Sequence, residues 1–143
     1  MTATAQAAEA EFREFYNLNI VVIPPHKECI RTDQQDVIFS TKAGKEQAVL
    51  NEIISTHQTG RPVLVGTRSV EESARLADAL RQQGCACEVL NAKRDEYEAQ
   101  IIAQAGTLGA VTISTNMAGR GTDIRLGGTD EKEKSRIAEL GGL

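Results

Sequence analysis

The segment PVLVGTRSVEESARLADALRQQGCACEVL, residues 62–90, decides the fold. It opens with Pro62-Val63-Leu64-Val65-Gly66, an uninterrupted apolar run bounded by proline and glycine, which is the pattern of a strand buried on both faces. Ser69, with Glu72 three positions later, makes a capping box that starts a helix, and Gly84 ends it. The spacing puts Val70, Ala74, Ala77 and Leu80 on the inner face of that helix. Cys85 to Leu90 then returns as a second strand.

The same cycle recurs on either side. Downstream, a helix from about Asp95 to Ala105 carries Ala99, Ile101, Ile102 and Ala105 on one stripe. Gly106 closes it, and Ala110-Val111-Thr112-Ile113-Ser114 is another buried strand. Upstream, Val49, Leu50, Ile53 and Ile54 recur at helical spacing between Lys42 and about His57, and Gly60-Arg61-Pro62 stops the pattern. Asn19 to Ile23 and Asp36 to Ser40 read as short strands, separated by a loop over 24–35 that Pro24-Pro25 opens. Residues 1–16 read as a helical lead-in. Thr129 to Leu140 reads as a charged amphipathic helix anchored by Ile137 and Leu140, within a C-terminal connector over 129–143. Strand and helix alternate throughout, so the expected class is α/β: one domain over 1–143, with parallel strands joined by right-handed crossovers and helices on both faces of the sheet.

Composition narrows the function. The 143 residues carry 16 basic and 20 acidic side chains, a net charge of -4, and 41% are hydrophobic, which is the make-up of a globular domain. The longest apolar runs, Ile20 to Pro25 and Pro62 to Val65, fall far short of the roughly 20 residues that span a bilayer, and the start lacks the order of a signal peptide. A cytosolic location is expected. An acidic balance with five aromatics gives neither the basic face nor the stacking platform of a nucleic-acid binder. Cys85-x-Cys87 with Cys29 and His26 is the one candidate metal set, but its one-residue gap is shorter than zinc spacing requires. Cys85 and Cys87 share one strand face, so buried packing is their expected role, and no metal ligand is assigned. His26 and His57 lack a neighbouring nucleophile pattern and are expected to face solvent. Lys93 and Arg94 read as an exposed loop pair at a strand's carboxyl end.

The chemistry-bearing segment is Thr115-Asn116-Met117-Ala118-Gly119-Arg120-Gly121-Thr122-Asp123, directly after the last apolar strand. Ligands of open parallel sheets bind beyond the carboxyl ends of the strands, which is where this segment begins. Gly119 and Gly121 allow close backbone approach to an anion, and Arg120 between them carries a permanently charged fork suited to phosphate. Asp123 can accept hydrogen bonds from sugar hydroxyls or orient a basic side chain. A turn with an exposed arginine and a capping aspartate fits the same residues. No G-x-x-x-x-G-K-[ST] is present: Gly44-Lys45 is followed by Glu46, and Phe39 stands where the first glycine belongs. By itself the chain holds at most half a nucleotide site.

The stretch TNMAGRGTDIRLGG, Thr115 to Gly128, resembles the fifth helicase-type motif of the SecA preprotein translocase ATPases. Pro62 to Thr67 with Ser69 and Glu71 is similar to the fourth, and Met1-Thr2-Ala3-Thr4-Ala5 to the third. Val89 to Lys93 and Ala103 to Gly106 fit the same family. Arg125-Leu126-Gly127-Gly128 and the short connector to Ala138–Leu143 look like the accessory actinobacterial type. The resemblance implies a second, RecA-like nucleotide-binding domain. Arg120 would face the phosphates as a catalytic, arginine-finger-like group, Gly121 would contact nucleotide and Asp123 the ribose side, with Gly119, Thr122 and Thr67 in support. It also implies ATP or ADP with Mg2+ in the parent, none of which is assigned to the isolated chain. The implied partners are the parent's first nucleotide-binding domain, preprotein and the membrane channel, at the cytoplasmic face of the plasma membrane and without nucleic acid.

The sequence departs from the pattern. Relative to the family it begins inside the third motif and ends before the sixth, whose arginines complete the ATP site. Ala3 stands where MTGTA has glycine, and Pro25-His26-Lys27-Glu28 where the family reads Thr-Asn-Arg-Pro. A folded half-site without turnover of its own is therefore expected, because stabilising transferred phosphate takes metal and cations together. Two alternatives fit the residues: the second RecA-like domain of an RNA or DNA helicase, and a non-catalytic docking module.

Overall fold

The computed structural model describes residues 4–90, 95–115 and 122–143, and the chain divides into two units, Met1–Val37 and Ile38–Leu143. In the first, a 3₁₀ turn (Ala5–Ala8) leads into helix α1 (Glu9–Tyr16). Asn17 ends α1 in the left-handed region at φ 50°, with its N–H and that of Leu18 donating to the Arg13 and Phe12 carbonyls. The expected lead-in helix is thus present, with no buried residue.

The expected strands at 19–23 and 36–40 do not form. Val21, Val22 and Ile23 are 65–79% exposed, and Val37 and Ile38 are 74% and 93% exposed. A strand is stabilised by its ladder, and among the described residues these segments have none. Apolar patterning alone therefore misled the reading.

In the second unit, Thr41 caps helix α2 (Lys42–Gln58) by accepting a hydrogen bond from the Gly44 N–H at 3.1 Å. Strand β1 (Val63–Thr67), helix α3 (Val70–Gln82), strand β2 (Glu88–Leu90), helix α4 (Asp95–Ala105) and strand β3 (Val111–Thr115) follow. The sheet is parallel with order β1-β3-β2, so the chain skips over β3's place through α3 and turns back through α4. With right-handed crossovers, that reversal puts α3 and α4 on opposite faces. The packing agrees: Leu50 and Ile53 of α2 and Ala77 and Leu80 of α3 share one core with Val111 and Ile113, which alternate with Thr112 along β3. Leu90 shares the parity of Thr112 in the register and is buried, as are Ile102 and Ala105 of α4. The α/β class is what the sequence predicted.

Three local readings need correction. The buried stripe of α3 is Ser73, Ala77 and Leu80 with Leu76 half-buried, while Ala74 is exposed. Ser73 is tolerated because its hydroxyl donates to the Val70 carbonyl at 2.7 Å and leaves no unmet polar group. Strand β2 starts three residues later than expected because α3 ends in a Schellman turn. Gly84 sits at φ 76°, the Cys85 N–H donates to the Leu80 carbonyl, and the chain is committed to the cap before it can join the ladder. The C-terminal helix is broken into a 3₁₀ turn (Gly128–Asp130) and a short helix α5 (Lys134–Glu139), with Glu131 between them at φ 50°. Ile137 is fully buried, but Leu140 is not an anchor, being 37% exposed.

Cys85 and Cys87 lie in the α2–α3 core as expected, and burial raises both thiol pKa values. Cys29 is exposed. Ellman's reagent is therefore expected to titrate one thiol quickly in the native chain and all three in denaturant. Rapid reaction of all three without denaturant would contradict this core. His57 departs from its solvent-facing assignment: its Nδ1 is buried without a hydrogen-bond partner, against Gly109.

Candidate functional site

The carboxyl ends of β1 and β3 lie side by side, with Thr67 in register with Thr115. Both are nearly buried, at 4% and 8% exposure. The Thr67 hydroxyl lies 3.3 Å from the Ser114 carbonyl and 3.4 Å from that of Ser69, so its proton serves the backbone at the junction of the two strands. Thr67 is thus a tie between β1, β3 and the start of α3.

The turn from β1 into α3 is held from both sides. Ser69 accepts from the Glu72 N–H at 3.2 Å, and the Glu72 carboxylate accepts from the Arg68 N–H at 3.0 Å. The reciprocal bond reaches one residue further back than a standard capping box, and it fixes the backbone of Arg68 at the sheet's carboxyl end. Ser69→Ala is expected to cost about 1 kcal/mol of stability, read as a shift in the urea midpoint with unchanged slope. An unchanged midpoint would show that the cap contributes nothing.

Of the site residues expected from sequence, Gly119, Arg120 and Gly121 lie outside the described residues, as do Lys93 and Arg94. Thr122 and Asp123 are described, exposed and outside any helix or strand. The chain is pinned on each side of this stretch. Upstream, Thr115 belongs to the central strand. Downstream, residues 125–128 lie against the end of α4: the Gly127 N–H donates to the Gly106 carbonyl at 2.8 Å and the Gly128 N–H to that of Arg125 at 3.0 Å. A Cβ on Gly106 would overlap the Arg125 carbonyl, and one on Gly128 would come within 2.8 Å of Thr107 Cγ2. Sequence reading took Gly106 as a helix stop and missed this close approach, which a glycine at a helix end does not advertise.

Beside this anchor, a 2.7 Å bond from Lys134 Nζ, followed by that ammonium's charge, holds the Glu131 carboxyl below its ordinary range. The depressed pKa means the pair stabilises the fold above the carboxyl's unfolded value and is lost as pH falls through its folded one. Among the described residues no cluster of His, Cys, Asp or Glu is arranged to hold a metal ion, and no helix is long and apolar enough to cross a membrane.

A family model described as the SecA P-loop domain matches residues 28–141. The chain belongs to the SecA family. It is 52% identical over all 143 residues to a protein translocase subunit SecA 2 of Thermobifida fusca, where it covers 19% of that protein. Identity is 55% to a SecA subunit of Mycobacterium avium and 54% to a SecA 2 of Mycobacterium tuberculosis, again over the full chain and 18% of each relative. The chain thus spans about a fifth of the length of the curated relatives it matches. SecA-family membership does not put a P-loop motif here. Gly44 and Lys45 sit in the first turn of α2, with the Gly44 N–H spent on the Thr41 cap rather than on a phosphate.

Proposed function

We propose that this SecA chain is the second, RecA-like nucleotide-binding domain of a translocase motor and supplies half of an inter-domain ATP site. The observation that carries the reading is the position of the Gly119-Arg120-Gly121-Thr122-Asp123 sequence. In sequence it comes after Thr115, the last residue of the central strand, with Asn116-Met117-Ala118 between; parallel sheets bind ligands beyond the carboxyl ends of their strands, and the chain lacks a P-loop motif. Translocase subunits among the relatives favour this over the nucleic-acid helicase alternative.

In this reading another domain's P-loop holds the triphosphate and its Mg2+, and Arg120 approaches the phosphates from the opposite wall. Gly119 and Gly121 let the backbone come close, and Asp123, with Thr122 beside it, meets the ribose side. Thr67 holds β1 against β3 so that the wall does not splay. Closure around ATP and release after hydrolysis give a two-state cleft whose motion would drive preprotein through a membrane channel, at the cytoplasmic face. The short connector after Arg125-Leu126-Gly127-Gly128 favours the accessory type of motor.

Calorimetric titration of Mg2+–ATP into the chain alone, into a SecA-type P-loop domain alone, and into their mixture tests the reading. The mixture is expected to bind at least about tenfold more tightly than the P-loop domain, with no hydrolysis by the chain alone. Association of the two domains without any nucleotide dependence would favour the docking-module alternative, and equal affinities would overturn the half-site.

A further inference from the structure

Residues 125–142 form a strap over the loops that enter β1 and β3, held at both ends. The upstream end is the crossing at α4, where the Gly127 N–H donates to the Gly106 carbonyl at 2.8 Å. In the middle, Ile137 of α5 is fully buried. The downstream end closes on Arg61, just before β1, whose Nε donates to the Gly142 carbonyl at 2.9 Å. A Cβ on Gly141 would come within 3.2 Å of the Arg61 Cζ, and Gly141 sits at φ 110°, a region that favours glycine. The two ends are also joined to each other. The Gly109 N–H donates to the Gly60 carbonyl at 2.7 Å, which bonds the loop after Gly106 to the one that carries Arg61.

We propose that Arg61 is a latch: while it holds Gly142 the strap is closed, and its release frees α5 and loosens the crossing at Gly106. Helix α5 has six residues, where an isolated helix needs roughly 12–15 to be even marginally stable, so it persists through its attachments. Those attachments are Ile137 and the helix cap. The Gly141 and Gly142 N–H groups donate to the Ala138 and Ile137 carbonyls at 3.0 and 2.8 Å, the paired bonds of a Schellman turn. Arg61 bonds the residue that completes this turn, and a guanidinium donor makes a stronger hydrogen bond than a neutral one. Without it, nothing but the turn's own two bonds holds the cap among the printed hydrogen bonds of Gly141 and Gly142.

The two ends are coupled through α5 as well as through Gly60. Gly127 lies against the start of α5, where a Cβ would come within 3.1 Å of the Lys134 nitrogen and 3.0 Å of the Glu131 backbone. When α5 melts, Gly127 loses the surface it rests on. Openings of this kind are local and cost less than global unfolding, so the strap can release while the α2–α3 core stays closed. In sequence the strap begins two residues after Asp123, so the latch governs the downstream mounting of the candidate site. The latch itself stands whether or not the half-site reading holds.

Native-state amide hydrogen exchange, followed by NMR on the full chain, tests the latch. Arg61→Ala is expected to lower protection of the Leu140 and Gly142 amides about tenfold and of the Gly127 amide about threefold. The Ser73 and Cys85 amides, bonded to the Ser69 and Leu80 carbonyls in and after α3, should stay within about twofold of wild type and report that the core is folded. Arg61→Lys should recover part of the loss, because the ammonium keeps the charge but not the planar fork. Gly141→Ala, which crowds the guanidinium, should give the same pattern with Arg61 intact. The double variant should exceed the stronger single one by less than about twofold, since both open one latch. Unchanged protection at Leu140 and Gly142, an equal loss at Cys85, an unaffected Gly127, or fully additive effects of the two variants would overturn the proposal.

Discussion

Replacing Arg120 by alanine is expected to lower ATP hydrolysis by an intact SecA subunit carrying this sequence by about 10³-fold or more, the range of a missing arginine finger. In the proposed site the guanidinium sits between Gly119 and Gly121, and its task is to neutralise charge that develops on the transferred phosphoryl group. Lysine cannot reproduce the planar fork, so Arg120→Lys should recover only part of the loss. Nucleotide affinity should fall much less than turnover, because the P-loop half would still hold the β- and γ-phosphates. The fold should not suffer, and an unchanged unfolding midpoint is the control. Wild-type turnover in Arg120→Ala, measured as phosphate release, would remove Arg120 from the mechanism.

Gly106→Ala carries the largest expected structural effect of a single methyl group here. The Arg125 carbonyl occupies the space a Cβ would take, and the obstruction is backbone, which cannot rotate away as a side chain would. Accommodating the methyl means parting residues 125–128 from the end of α4 and stretching the bond from the Gly127 N–H to the Gly106 carbonyl. A destabilisation of about 3 kcal/mol is expected, at the upper end for overpacking and a large share of a small domain's total. Because the displaced segment lies directly downstream of the Arg120 sequence, limited proteolysis should open the chain near residues 122–128 before the sheet unfolds. A stability within 0.5 kcal/mol of wild type, at the ordinary level of a surface change, would show that the crossing gives way freely.

The parts of the fold legible in sequence were those where local and long-range signals agree. Ser69 and Glu72 announced the start of α3, Gly84 its end, and the apolar runs at 62–66 and 110–114 the paired strands β1 and β3. The failures share a cause. Residues 19–23 and 36–40 have strand composition, but a strand is a pairing, and composition does not say whether a neighbour is present. The start of β2 was misplaced because the Cys85 N–H goes to a helix carbonyl, a bond set by the geometry of Gly84 rather than by strand propensity. The C-terminal helix was drawn too long because its charged sequence is helix-compatible, while the actual backbone follows Gly127 and Gly128 across α4. At the candidate site, Gly119, Arg120 and Gly121 lie outside the described residues, so their place remains the expectation of the sequence, and the mounting downstream of them was not legible. The glycine–arginine–glycine sequence after an apolar strand points to the carboxyl end of the sheet. The anchor at Gly106 depends on two segments about 20 residues apart meeting backbone to backbone.

The most direct measurement is a structure of the intact subunit bound to ADP and aluminium fluoride with Mg2+, which mimics phosphoryl transfer. The account predicts the Arg120 guanidinium within about 2.7–2.9 Å of the fluoride or phosphate ligands, reaching across from the wall opposite the P-loop. A guanidinium turned away from the nucleotide, or packed beneath a helix with the cleft closed, would contradict it.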